Sequence, residues 1–144
     1  MSEQIKETQI MIGNYLFASD QQIHRVSKFD DKTIWFDKTI NRHGVSCWLT
    51  SKISECISIP LTEDILLKCG AKRIEDNKVA LILNDPSTHL ILMKIGTHWY
   101  PQIEQTGEFI SDGVNTVCLN FIDYVHQLQN LFKTLTQNDL KVEV

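Results

Sequence analysis

Two almost unbroken apolar runs, "KVALIL" (78–83) and "HLILMKI" (89–95), constrain the fold of this chain more than any other feature. Between them lies "NDPST", whose Asp-Pro pair initiates turns, so the two runs read as an antiparallel hairpin. A strand with one wet face alternates apolar and polar residues; these runs do not, which predicts cover on both faces. "HWYPQIE" and "NTVCLNF" follow after glycine-containing turns and extend the hairpin into a meander.

The natural cover for such a sheet is "NFIDYVHQLQNLFKTLT" (120–136). At 100° per residue, Phe121, Tyr124, Val125, Leu128, Leu131, Phe132 and Leu135 fall on one arc, and Asp123, His126, Gln127, Asn130 and Thr134 on the other. Asn120 and Asp123 stand in the N-cap and N3 relation of a capping box, which starts the helix near residue 120. The tail "QNDLKVEV" frays or adds an edge strand.

Upstream, "IMIGNYLFA", "QQIHRVSKF", "KTIWF" and "GVSCWLT" are short β-type runs at close spacing, with "ECISIP" as a last strand ended by Pro60. They predict a small SH3-like barrel over residues 9–59. "LTEDILLKCG" is the clearest helix signal: Thr62 caps it, Glu63 and Asp64 place acid in its first turn, and Gly70 stops it. Leu61 and Leu66 are spaced as a hydrophobic staple, and Lys68, Lys72 and Arg73 read as cations at the helix C-terminal end. The expected fold is α+β in one domain, residues 1–144. Its order is a barrel-like sheet over residues 9–59 and, over residues 60–144, a short central helix, an antiparallel meander and an amphipathic C-terminal helix packed on it.

With 144 residues, 42% of them hydrophobic and 22% charged, the chain is long enough to bury a core without metal or disulfide staples. No apolar run approaches the roughly 20 residues of a membrane span, and "MSEQIKETQI" lacks signal-peptide regions, so a cytoplasmic protein is expected. Cys47, Cys56, Cys69 and Cys118 lie in apolar segments without a C-x-x-C pair and read as reduced thiols. A formal charge of −4 argues against a generic nucleic-acid binder, which depends on Lys and Arg neutralising phosphates.

No catalytic motif emerges. Asp123 and His126 are spaced to meet on a helix, but Asp123 already serves the helix start and no nucleophile elbow accompanies the pair. His43/Cys47 and His89/His98 fall short of the two local ligand pairs a zinc site needs, and the glycines form no phosphate cradle. The expectation is no catalytic, metal or cofactor-binding residues. "THWYPQIE" stands out: alternation puts Trp99 and Tyr100 on opposite faces, and an exposed aromatic is a typical interface anchor; Trp35 and Trp48 share that ambiguity. The polar arc of the last helix is also distinctive, being amide-rich where solvated faces carry Glu, Lys and Arg. Amides are cheaper to desolvate than charges. Partner contact is therefore expected at His126, Gln127, Gln129, Asn130 and Lys133, with Trp99 and Tyr100.

In order, "IGNYL", "PLTEDILLKCG" and "YVHQLQNLFKTLT" span most of the chain and resemble a group of small proteins carried by phages and prophages of Bacteroidota. That group shares an "IGN" opening, a "PIPLTEEWLLKFGF"-like helix and a "YVHQLQNLYFALTG"-like helix. Ser58, Cys69 and Lys133-Thr134 depart from its pattern. The resemblance implies a mobile-element origin and no transferable activity, with some such proteins similar to anti-CRISPR inhibitors of RNA-guided nucleases. The expected function is a non-enzymatic inhibitor or accessory protein docking on a defence nuclease or its guide-RNA complex, without membrane or direct nucleic-acid binding. The alternative is a small nucleic-acid-associated β-barrel module using Lys28, Lys32, Lys38 and Arg42; a third reading is a hydrolase built on His126.

Overall fold

The computed structural model of the chain describes residues 10–40, 43–83, 87–106 and 114–143. It is mixed α+β, and every strand pairing among those residues is antiparallel. The chain divides into two compact units, Met1–Pro60 with Tyr124–Asn130, and Leu61–Asp123 with Leu131–Val144. Arg42 and the Asp-Pro of the expected hairpin turn lie outside the described residues.

In the first unit, β1 (Tyr15–Phe17), β2 (Ile23–Phe29), β3 (Thr33–Phe36) and β6 (Thr50–Lys52) form a sheet in the order β1-β2-β3-β6. A separate ribbon pairs β4 (Thr39–Ile40) with β5 (Ser46–Cys47). The register slips between Val26 and Lys28, a bulge that bends β2 and curls the sheet. Period-2 alternation sets the faces of β3: Ile34 and Phe36 are fully buried, while Thr33 and Trp35 point outward. Leu16, Val26, Ile34, Phe36, Ile53 and Cys56 join Ile10 and Ala18 in one apolar cluster, with Phe29 and Leu49 against it. Burying each large apolar side chain of this kind contributes about 1.5–3 kcal/mol. Asp30 tightens the β2–β3 turn by accepting the N–H groups of Lys32 (2.9 Å) and Thr33 (2.8 Å), which together hold its carboxyl below the ordinary range.

"ECISIP" does not form the expected last strand. Residues Ile53–Glu55 make a 3-10 turn, because the Glu55 carboxylate reaches back to accept the Lys52 N–H at 3.2 Å. What remains of it is two single-residue bridges, Ile57 with Phe17 and Pro60 with Tyr124.

The second unit begins with α1 (Glu63–Lys68), built as its sequence prescribes. Thr62 Oγ1 accepts the Ile65 N–H at 3.3 Å, Leu61 and Leu66 are both buried, and Gly70 takes φ +100°, a conformation that L side chains rarely adopt. A five-stranded sheet follows in the order β11-β10-β9-β8-β7, from β7 (Lys72–Glu75), β8 (Lys78–Ile82), β9 (Thr88–Ile95), β10 (His98–Thr106) and β11 (Val114–Cys118). β7 replaces the expected helix-end cations: Lys72 and Arg73 belong to an exposed edge strand, and of the three only Lys68 lies in the last turn of α1. The register brings Val79 opposite Leu92, Leu81 opposite Leu90, and Leu92 opposite Pro101, all buried on one face. On the other face Ile91 is buried, yet Ile74 and Ile82 are exposed and border a shallow groove with Ala80 and His89. Cover on both faces thus holds for the middle of β9 and not for β8.

Helix α2 (Val125–Thr136) starts later than the capping-box spacing implies. The chain from Phe121 to Tyr124 is extended instead, with bridges from Ile122 to Trp99 in the second unit and from Tyr124 to Pro60 in the first. Val125 donates its N–H to Ile59 O at 2.9 Å, and Gln127 Oε1 accepts the Tyr124 N–H at 3.1 Å. Gln127, three residues on, therefore makes the reach-back that the sequence reading gave to Asp123.

Candidate functional site

Much of the amide face of α2, expected from its composition to contact a partner, is used internally. Gln129 is 8% exposed. Its Nε2 donates to Gly13 O at 2.9 Å and its Oε1 accepts the Tyr15 N–H at 2.9 Å. Asn130 Oδ1 accepts from Asn14 Nδ2 at 2.8 Å, while Asn14 Oδ1 accepts the Met11 N–H at 2.8 Å. Four amide contacts thus hold the turn before β1, satisfying backbone groups that its hydrogen bonds to Val26 leave over. Lys133 pairs with Asp139 at 3.2 Å.

His126 is 1% exposed, stacked on Tyr124 with ring centroids 6.0 Å apart, and neither ring nitrogen has a hydrogen-bond partner among the described residues. Burial pushes its pKa down to about 4, so the ring is neutral at pH 7. A buried imidazole without an orienting carboxylate has no route to general-base work, and the Asp123–His126 pair does not form.

Asp123 instead binds another histidine. Lying outside the helix, its Oδ1 sits 2.6 Å from His98 Nδ1. The oriented His98 ring packs against Phe121, centroids 4.1 Å apart, and Tyr100 meets Phe121 edge-on at 5.8 Å. Alternation along β10 explains the grouping, since His98 and Tyr100 share one face and Trp99 takes the other. Trp99, expected as a possible surface anchor, is 2% exposed, with Nε1 donating to Leu61 O at 3.1 Å. It is a core residue. Phe121, placed by the helical wheel on the buried arc, is 47% exposed because it precedes the helix. The result is a fixed imidazole in an aromatic cluster open to solvent, all within the second unit.

A different cluster occupies the outward face of the curled sheet in the first unit. The register sets Trp35 between Lys28 and Thr50, and Thr33 opposite Lys52. Lys28 Nζ lies 4.9 Å from the Trp35 ring centroid and 5.9 Å from that of Trp48; Lys38 Nζ lies 5.2 Å from Trp48. Trp48 is 46% exposed. The strand lengths flanking the Asp30 turn carry the signal for this pairing, since they bring residues 28 and 35 opposite each other.

Among the described residues no group of three or more His, Cys, Asp or Glu side chains could hold a metal ion, and no helix is long and apolar enough to cross a membrane. Cys56 and Cys69 are poor nucleophiles, each thiol pushed by burial up to about 11. Cys47 is exposed. No family model, no curated protein and no solved structure matches this chain.

Proposed function

We propose that this chain is a non-enzymatic binding protein of mobile-element origin, an anti-CRISPR that docks on an RNA-guided nuclease carrying its guide RNA. In this reading the curled sheet is an SH3-like half-barrel, Leu131–Thr136 of α2 cover the meander, and the protein works in the cytoplasm. The observation that supports docking is the Phe121–His98–Tyr100 cluster. Phe121 is 47% exposed, and His98 is held both by Asp123 at 2.6 Å and by the Phe121 ring at 4.1 Å. Aromatic anchors whose rotamers are fixed before binding lose little side-chain entropy on docking, which is where interface energy concentrates. The Asp–His pair serves to position the imidazole, with no activated nucleophile beside it among the described residues.

The test combines co-purification of the chain with an RNA-guided nuclease complex and a phage interference assay. The expected result is a stable complex and protection of phage, both lost in the Phe121→Ala/Tyr100→Ala double variant while its unfolding midpoint stays close to the parent's. Recovery of no defence component, together with no protection in the interference assay, would overturn the reading.

A further inference from the structure

The outward face of the first unit's sheet carries a second binding surface, of different chemistry. Trp35 stands in the middle of it, flanked across the strands by Lys28 and Thr50, and one step along the sheet Thr33 faces Lys52. Trp48 adds an exposed indole that shares Lys28 with Trp35 and has Lys38 on its own ring. From the Thr33–Lys52 pair an open cleft of about 420 Å³ continues past Lys32, Ser54 and Asp31.

The chain as a whole is acidic, at −4, so the local charge decides what this face attracts. Its nearby carboxylates are largely spoken for. Asp30 is turned onto the N–H groups of Lys32 and Thr33, and Asp37 pairs with Arg25 at 3.3 Å. Among the described residues no carboxylate lies within ion-pairing distance of Lys28, Lys32, Lys38 or Lys52. Asp31 remains on the cleft as an acidic neighbour. Two indoles interleaved with unpaired lysines fit a ligand that presents flat π-faces and negative charge at a short repeat. Unstacked nucleobases on a phosphate backbone have that form, whereas a duplex hides its base faces and an acidic peptide has none.

We infer that the Lys28–Trp35–Lys38–Trp48 face binds single-stranded nucleic acid, bases stacking on Trp35 and Trp48 while Lys28, Lys38 and Lys52 neutralise phosphates. The surface lies within the first unit and is independent of the aromatic cluster proposed as the protein-docking site. Two stacked bases together with a few engaged phosphates give micromolar-range binding.

The test is titration of the full chain with an oligouridylate of about ten nucleotides, a length within the usual site size of a small barrel. It is followed by quenching of tryptophan emission and by anisotropy of an end-labelled strand. Expected are quenching with micromolar Kd and a loss of about tenfold or more in Trp48→Ala, partly restored in Trp48→Phe, matching roughly 1.4 kcal/mol per tenfold step. A comparable loss is expected in Lys28→Glu/Lys38→Glu. Log Kobs should fall against log salt with a slope near −2, about −0.7 for each of three phosphates. Circular dichroism and the unfolding midpoint verify that the variants fold. No binding at low salt would overturn the inference. So would a Trp48→Ala variant that binds as the parent does, a duplex bound as tightly as the single strand, or a polyglutamate peptide bound with the same losses.

Discussion

In the second unit each strand finds its partner beside it in sequence, β7 through β11 pairing in chain order along one sheet. The first unit closes differently. Its leading turn is held by side chains more than a hundred residues away: Gln129 contacts Gly13 at a separation of 116 and Tyr15 at 114, and Asn130 contacts Asn14 at 116. One unit rests on local ladders, and the other adds a long-range polar clasp to its apolar core. Short-range ladders forgive the loss of a polar contact because the backbone remains satisfied. A clasp forgives less: in the turn it holds, Gly13 N–H reaches Val26 O and Asn14 N–H reaches Met11 O, but Gly13 O and the Tyr15 N–H rest on Gln129.

The largest expected effect probes the apolar side of this contrast. Trp99→Ala should cost about 3–5 kcal/mol in urea unfolding, leaving a cavity and an unpaired Leu61 carbonyl. Trp48→Ala should stay within about 0.5 kcal/mol, as for a surface position. Equal losses would erase the distinction between a core indole and a binding indole.

A second effect, of similar size, belongs to His126. Its folded pKa near 4 lies below the ordinary value of 6.5, so folding favours the neutral ring. Above pH 6.5 that contribution is complete; as pH falls the unfolded chain takes up a proton that the folded chain refuses. About 2.5 pH units of protonation difference are worth roughly 3 kcal/mol, lost between pH 6.5 and pH 4. His126→Phe should flatten that part of the stability–pH profile and raise stability at neutral pH by about 1 kcal/mol, because no buried ring nitrogen is then left without a partner.

A third loss, smaller than those at Trp99 and His126, sharpens the polar side. Gln129→Leu keeps the apolar stem but strands Gly13 O and Tyr15 N, at a cost of about 2 kcal/mol. Hydrogen exchange should show Tyr15 deprotected while the amides of β8 and β9 are unchanged. Uniform deprotection of both units would break the comparison.

How much of this was legible in the sequence follows the same divide. Thr62, Glu63 and Gly70 encode α1 within ten residues, and "KVALIL" with "HLILMKI" encodes a hairpin, because cap and pleat are local rules. β7 was hidden by its charge: "KRIE" looks like a helix end when its only sheet partner, β8, is out of view. The helix wheel sorted Phe121 and Asp123 as helical residues, whereas two single-residue bridges keep that segment extended until Val125. Tertiary pairing overrode the cap signal. Likewise the amide content of "HQLQN" was visible, but a Gln satisfying a distant loop and a Gln awaiting a partner have the same letter. Trp35 could be assigned a face only once the register across the Asp30 turn was known, and Trp48, outside any strand, only from its distances to Lys28 and Lys38.

β7 also has a bearing on crowding. It ends the five-stranded sheet with Lys72, Arg73 and Glu75 along its outer margin, and its register slips between Arg73 and Glu75. A growing cross-β stack needs a flat strand that accepts an identical neighbour, and here two copies would bring like charges together across a kinked line of donors. That margin resists templating of fibrils, so the chain should stay dispersed at high concentration.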